Sequence, residues 1–301
     1  MIYDIRHITT YRYEAPVAAT RCTLRLLPRS DAGQTVVDSM IDVTPPPAGM
    51  AEHRDFFGNR VVILHIAAAY RELRIAALAQ VAVERPQSPA PGLTPAWESV
   101  RREAAAANTL DAASPVHRLY PSRRVPFHAP ATDYARASFP PGRPILEAAA
   151  DLMTRIKADF AYDPKATAVS TPLAEAFEKR GGVCQDFAHI MIAGLRGLGL
   201  PAGYVSGYIR TSPPPGQKRL EGADSSHAWV SVWCGLEFGW LDLDPTNAVM
   251  VGDDHIVIAI GRDYADVSPI DGVITGSGDH KLAVSVDVVP VRRGAGEVAE
   301  A

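Results

Sequence analysis

The sequence predicts an α+β protein, with an N-terminal antiparallel β unit followed by a core in which one helix packs on an antiparallel sheet. Three observations predict it. Residues 1–86 alternate polar and apolar side chains in short runs punctuated by proline and glycine. In the stretch 181–193, Gly-Gly-Val-Cys-Gln-Asp-Phe-Ala-His-Ile-Met-Ile-Ala, two glycines precede apolar residues that recur at steps of three and four. Beyond Gly199 the period switches to two and persists through two tryptophan-bearing segments.

The elements follow in order. Ile5, His7, Thr9, Tyr11 and Tyr13 alternate with Arg6, Ile8, Thr10, Arg12 and Glu14, and β-rich runs recur at 22–27, 36–43, 61–66 and 73–83, with a turn at 55–60. An antiparallel sandwich over 1–86 is the expected form, with Cys22 as a core filler. Residues 87–144 are rich in proline and read as a connector carrying one helix at about 97–107. A core unit then spans 145–291, with a helix over 145–160, a short helix capped at Thr171-Pro172 and the helix that begins at Cys184; a flexible tail of 292–301 follows. The polar segment 212–224 reads as a mobile loop leading to the strand that carries His227.

Composition narrows the function. With 301 residues, 47% apolar and 21% charged, the chain reads as a soluble globular protein. A net charge of −4 gives no general pull toward nucleic acid, and Arg118, Arg123 and Arg124 read as a solvated or substrate-facing cluster. The longest apolar run, 61–70, is too short to span a bilayer, and the first residues do not read as a signal peptide. Three cysteines without a Cys-x-x-Cys pair argue against a disulfide framework and a structural zinc site, so a reducing cytoplasm is expected.

Cys184 falls in the first turn of its helix, where free N–H groups and the helix dipole favour a thiolate. Bringing a thiol from about 8.5 to about 5 takes roughly 5 kcal/mol, whereas a helix terminus supplies about 0.3–2 kcal/mol. A cation is therefore required, and a histidine is the expected source. In Ser226-His227-Ala228-Trp229-Val230-Ser231-Val232-Trp233-Cys234 the apolar face is Ala228, Val230, Val232 and Cys234, with His227, Trp229, Ser231 and Trp233 opposite. A second strand at 238–244 carries Phe238, Trp240, Asp242 and Asp244 on one face. Pairing Trp233 with Phe238 places His227 opposite Asp244, and a two-residue slip substitutes Asp242.

Gly-Val-Cys-Gln-Asp-Phe-Ala-His, Ser-His-Ala-Trp-Val and Trp-Leu-Asp-Leu-Asp-Pro-Thr-Asn resemble the three motifs of the bacterial transglutaminase-like superfamily, a papain-related cysteine-protease fold. Tyr11-Arg12-Tyr13-Glu14-Ala15-Pro16-Val17, Leu26-Leu27-Pro28-Arg29 and the tail Gly261-Arg262-Asp263-Tyr264-Ala265-Asp266-Val267 resemble one of its subgroups. The resemblance implies Cys184 as nucleophile, His227 as base and Asp244 as orienting acid. It implies peptidase or amidase chemistry on a peptide or protein substrate, with amine transfer as runner-up. Gln185, Tyr162 and Trp229 are candidates for the oxyanion pocket or the site lining, while His189 reads as structural. No cofactor is expected. The competing readings are a peptide-binding scaffold without catalysis and a metal site made by Cys184, His227 and Asp244.

Overall fold

In the computed structural model, which describes residues 1–31, 33–211 and 225–291, the alternating N-terminal runs form β1 (Ile2–Val17), β2 (Ala19–Leu24), β3 (Gln34–Thr44), β4 (Gly49–Arg54), β5 (Arg60–Ile66) and β6 (Tyr70–Val83). All their pairings are antiparallel: β6 lies between β1 and β3, and β5 lies between β2 and β4. The two sheets enclose Leu24, Leu64, Ile66, Leu73 and Ile75, and Cys22 is buried with them. The long strands β1 and β6 also carry Tyr3, Ile5, Val81 and Val83 into the second core.

The connector is more than a connector. It contributes α1 (Trp97–Ala105) and a helix not anticipated from the sequence, α2 (Ala129–Arg136). Prolines obscure α2 because Pro130 sits in its first turn, where a missing N–H costs nothing, behind His128 as N-cap. α2 packs on the cysteine helix, α5 (Cys184–Gly197), at close range. A Cβ on Gly194 would lie 2.7 Å from the Ala135 Cβ, and one on Gly197 would lie 1.8 Å from Thr132 Oγ1. Trp97, Val100, Val125, Ala131, Ala135 and Phe139 thus belong to the main core, which corrects the reading of 87–144 as outside it.

Before α5 come α3 (Ile145–Asp159), β7 (Ala161–Tyr162), α4 (Leu173–Lys179) and β8 (Gly181–Gly182). After it, β9 (Ala202–Ile209), β10 (Ser225–Trp233), β11 (Trp240–Asp244), β12 (Val249–Met250) and β13 (His255–Gly261) form a sheet in the order β12-β11-β10-β9-β13. The two edge strands are joined directly by residues 251–254, and the sheet curls far enough for His255 at the start of β13 to reach Asp244 at the end of β11. Val205, Trp229 and Val257 fill the inside of the curl. Ala228, Val230, Val232 and Leu243 belong instead to the main core with α5. Gly207 admits the indole of Trp229, since a Cβ there would lie 2.4 Å from the ring and 2.2 Å from the Ile256 carbonyl oxygen.

The hairpin register differs from the expected one. Trp233 faces Trp240 and Ser231 faces Asp242, because Phe238 belongs to the turn between the strands. Asp244 therefore stands level with Trp229 and two residues along from His227, on the same face.

The chain then returns to its beginning through α6 (Tyr264–Val267). β14 (Ile270–Thr275) pairs with β2, and β15 (His280–Pro290) pairs with β1. Each sandwich sheet thereby has four strands, and the N-terminal unit is discontinuous: β14 and β15, grouped by sequence within 145–291, complete it. Two carboxamides fasten the sandwich to the open edge of β13. Gln34 Oε1 accepts from Val257 N and its Nε2 donates to Val257 O, both at 2.8 Å. Asn59 makes the same pair with Ile260 N and O, also at 2.8 Å. Side-chain amides thus stand where a further strand would pair. Arg118, expected in a solvated or substrate-facing cluster, is buried with its guanidinium against the rings of Phe57 and Trp240, at 5.0 and 4.4 Å. No helix among the described residues is long and apolar enough to cross a membrane. The 212–224 loop and the 292–301 tail lie outside the described residues.

Candidate active site

Cys184 is the first residue of α5. The entry to the helix is held by Asp186, whose Oδ2 accepts from Val183 N at 2.9 Å and from Thr167 Oγ1 at 2.6 Å. Gly182 is required here, since a Cβ would lie 2.4 Å from that same carboxylate oxygen. β7 and β8 run parallel and place Tyr162 beside Gly182, two residues before the thiol. Cys184 is half-buried, whereas Cys22 and Cys234 are buried and their thiols are pushed up to about 11 and about 12 by desolvation.

His227 bridges the thiol and a carboxylate. Its Nε2 lies 2.8 Å from Asp244 Oδ2, and Cys184 is near enough for its side chain to help stabilise the charged ring. Burial opposes its charged form. The bonds to Asp244 and Cys184, with their charges, outweigh burial and push His227 up to about 9. Asp244 is fully buried. Its Oδ1 accepts from the backbone N–H groups of Thr246 and Asn247 at 2.9 and 3.2 Å. Its Oδ2 takes His227, Asn247 Nδ2 at 2.7 Å and His255 Nε2 at 3.2 Å. Burial would raise this carboxyl, but these donors hold it well below the usual carboxylate range.

The contact between His227 and Asp244 is diagonal across the ladder. So is its neighbour, Trp229 Nε1 donating to Asp242 Oδ2 at 3.0 Å. Both run in the same direction, the diagonal reach that neighbours in a twisted pair allow. The pairing expected from the sequence is therefore present, although the register that suggested it is not. Asp242, the alternative partner, is occupied by the indole.

The other candidates divide. Tyr162 is exposed with its ring edge-on to Phe187 at 6.4 Å, and its hydroxyl has no hydrogen-bond partner among the described residues. The Gln185 side chain donates to Val169 O at 3.2 Å and so is tied away from an oxyanion role. Trp229, 0% exposed, packs against the rings of His227 and His255. His189 is buried, accepts from Tyr264 N at 3.2 Å and is lowered to about 4 by desolvation, as a structural histidine should be. Ser226, which alternates to the other face of β10 from His227, lines a pocket of about 240 Å³ with Tyr264, Leu282 and Val284, and none of Cys184, His227 and Asp244 lines it.

A metal held by Cys184, His227 and Asp244 does not fit, because both Asp244 oxygens are already taken by N–H donors, Oδ1 by Thr246 N and Asn247 N and Oδ2 by His227, His255 and Asn247 Nδ2. His227, Asp244 and His255 do bring three ligand-type atoms within 4.8 Å of one another, but both Nε2 atoms are engaged as donors to the carboxylate. His255 and Asn247 were missed by sequence reasoning. Asn247 follows Asp244 by three residues, the spacing of a turn-closing side chain, which was a usable signal. His255 had none, since only the curl of the sheet brings β13 to β11.

Residues 3–82 match the model of the bacterial transglutaminase-like N-terminal region, and residues 133–245 match that of the transglutaminase-like superfamily. An uncharacterized protein of Mycobacterium tuberculosis is 40% identical, over 96% of this chain and 92% of its own. A protein-glutamine gamma-glutamyltransferase of Pseudomonas aeruginosa is 36% identical over 98 residues, 30% of this chain and 14% of its own. The fold is shared with a crystal structure of a presumptive cysteine protease from Cytophaga hutchinsonii, at a TM-score of 0.74 and 21% identity, covering 98% of this chain and 92% of that one.

Proposed function

Because this chain belongs to the transglutaminase-like superfamily and carries the bacterial transglutaminase-like N-terminal region, we propose that it is a thiol hydrolase of peptide or amide bonds, with Cys184 as nucleophile, His227 as acid and base and Asp244 as the orienting carboxylate. The observation that carries this reading is His227 standing between the Cys184 thiol and the buried Asp244 carboxylate, raised to about 9. An imidazolium at neutral pH supplies the cation that a thiolate needs.

The steps follow from that geometry. The Cys184 thiolate attacks the scissile carbonyl, and the oxyanion that forms faces the free N–H groups at the start of α5. His227 gives its Nδ1 proton to the leaving amine, and the carbon–nitrogen bond breaks to leave a thioester on Cys184. Neutral His227 then takes a proton from water as it attacks the thioester, which releases the acid and restores the thiolate–imidazolium pair. Asp244 keeps Nε2 protonated throughout, so Nδ1 always faces the chemistry. A reducing compartment such as the cytoplasm suits the three free cysteines.

Amine transfer is the second reading, favoured by the match to the Pseudomonas aeruginosa transferase. A transferase must shield its thioester from water and desolvate a lysine whose amine is about 3 pH units too protonated at neutral pH. Trp229 and Trp233, the indoles on the His227 face of β10, are 0% and 4% exposed and are committed to packing rather than to a channel wall. Hydrolysis is therefore preferred. The test is intact-mass detection of an acyl adduct on Cys184 after incubation with a peptide library, then partitioning of an activated amide between water and millimolar primary amine. Free acid as the main product is expected. Absence of any adduct refutes an acyl-enzyme, and a predominant amine adduct refutes hydrolysis.

A further inference from the structure

A second histidine lies under the proposed triad and takes no part in the steps above. His255, the first residue of β13, is buried, with Nε2 3.2 Å from the Asp244 oxygen that also receives His227. The tautomer follows from its other bond. Gly252 N, which can only donate, lies 3.4 Å from His255 Nδ1. Nδ1 is thus the acceptor, and the ring hydrogen sits on Nε2, directed at the carboxylate. Trp229 packs edge-on against the ring at 5.3 Å and 80°, and its own N–H is bonded to Asp242.

The donors to Asp244 are not equivalent. Thr246 N, Asn247 N and Asn247 Nδ2 belong to the turn that follows Asp244 and move with it. Among the described residues, His227 and His255 are the donors that reach Asp244 from other strands. In the proposed steps His227 loses and regains its Nδ1 proton, so its charge and its pull on the carboxylate change, whereas the His255 N–H on Asp244 Oδ2 does not. His255, on β13 with β9 on one side and Gln34 and Asn59 on the other, is held independently.

We propose that His255 is a positioning residue that fixes Asp244 Oδ2 against His227 and thereby keeps the imidazole aligned with Cys184. This rests on the triad reading, and the experiment separates the two. The readout is the rate of Cys184 carboxamidomethylation by iodoacetamide at pH 7, followed by peptide mass mapping, with Cys22 and Cys234 in the same molecule reporting loss of the fold. His255→Phe, which fills the space without an N–H, is expected to slow Cys184 about tenfold or more, the scale of one hydrogen bond to a charged group. His255→Gln, whose amide can still donate, is expected to recover most of the wild-type rate. Equal rates in all three proteins overturn the proposal, as does equal slowing by Phe and Gln while Cys22 and Cys234 remain protected.

Should His255→Phe expose the buried thiols, the wild-type protein decides. Its 15N-labelled His255 Nε2–H resonance is expected to be slow to exchange and to shift when Cys184 is alkylated, and an unmoved resonance overturns the proposal. His227→Ala provides the separation. If it fails to slow Cys184, the base assignment itself is wrong; if it slows Cys184 and His255→Phe does not, only the positioning role fails.

Discussion

Asp244→Asn keeps the shape of the side chain and removes its charge. With the amide oxygen toward the backbone N–H groups of Thr246 and Asn247, Nδ2 would face three donors, His227, His255 and Asn247 Nδ2; reversed, it would face the two backbone donors. Either way at least two N–H groups meet another donor in a buried space, at about 1–3 kcal/mol each. The charge that raises His227 from 6.5 to about 9 is lost as well. That net rise corresponds to about 3 kcal/mol at about 1.36 kcal/mol per pH unit, the balance left after the Asp244 and Cys184 contributions offset burial. The expected result is a fall of up to about 10²-fold in Cys184 carboxamidomethylation at pH 7. Asp242→Asn should change it less than about threefold, because an amide oxygen still accepts the Trp229 indole N–H. The assay is time-resolved intact mass with iodoacetamide on both variants and wild type. Equal losses, or a larger loss for Asp242→Asn, would refute the assignment of Asp244 to His227.

Three further expectations follow from particular contacts. Cys184 should alkylate well below pH 8 while Cys22 and Cys234, with thiols at about 11 and about 12, react only on unfolding; equal native labelling of all three by mass mapping would contradict this. His227, whose folded value lies above its unfolded 6.5, contributes stability that is fully present below about pH 6.5 and lost as pH rises through about 9. Urea unfolding of wild type and His227→Gln should therefore show a stability difference that shrinks over that window, by at most about 3 kcal/mol, and a difference that grows with pH would reverse the sign. Gln34→Leu removes the partner of Val257 N on the β13 edge and should cost about 1–3 kcal/mol in the same measurement; an unchanged midpoint would mean that the edge is satisfied in another way.

Much of the site was legible because the relevant patterns are local. The step of three and four after Gly181-Gly182 placed Cys184 at a helix start, since an apolar stripe and its glycine break need no knowledge of the rest of the chain. Alternation along 226–234 put His227 on one face of its strand and buried Cys234 on the other. Asp244 was selected through a register that proves to be two residues out. The selection survived because strands have period two: a slip of two residues moves partners along the ladder without changing which face they share, and the diagonal neighbour remains within reach.

The sequence by itself thus determined the helix that presents the thiol, the faces of the strands and the burial of Cys22 and Cys234, all of which are written in spacings of a few residues, while its motifs carried the resemblance to the family that residues 3–82 and 133–245 match. The tertiary structure alone decided that Pro130 begins a helix packed on α5, that β14 and β15 close the sheets begun by β1 and β2, and that Arg118 is an interior cation against two rings. It alone brought His255 to Asp244. Each of these depends on which distant segments pair and on how far a five-stranded sheet curls. Those outcomes are set by the packing of the whole molecule, and no local period carries them.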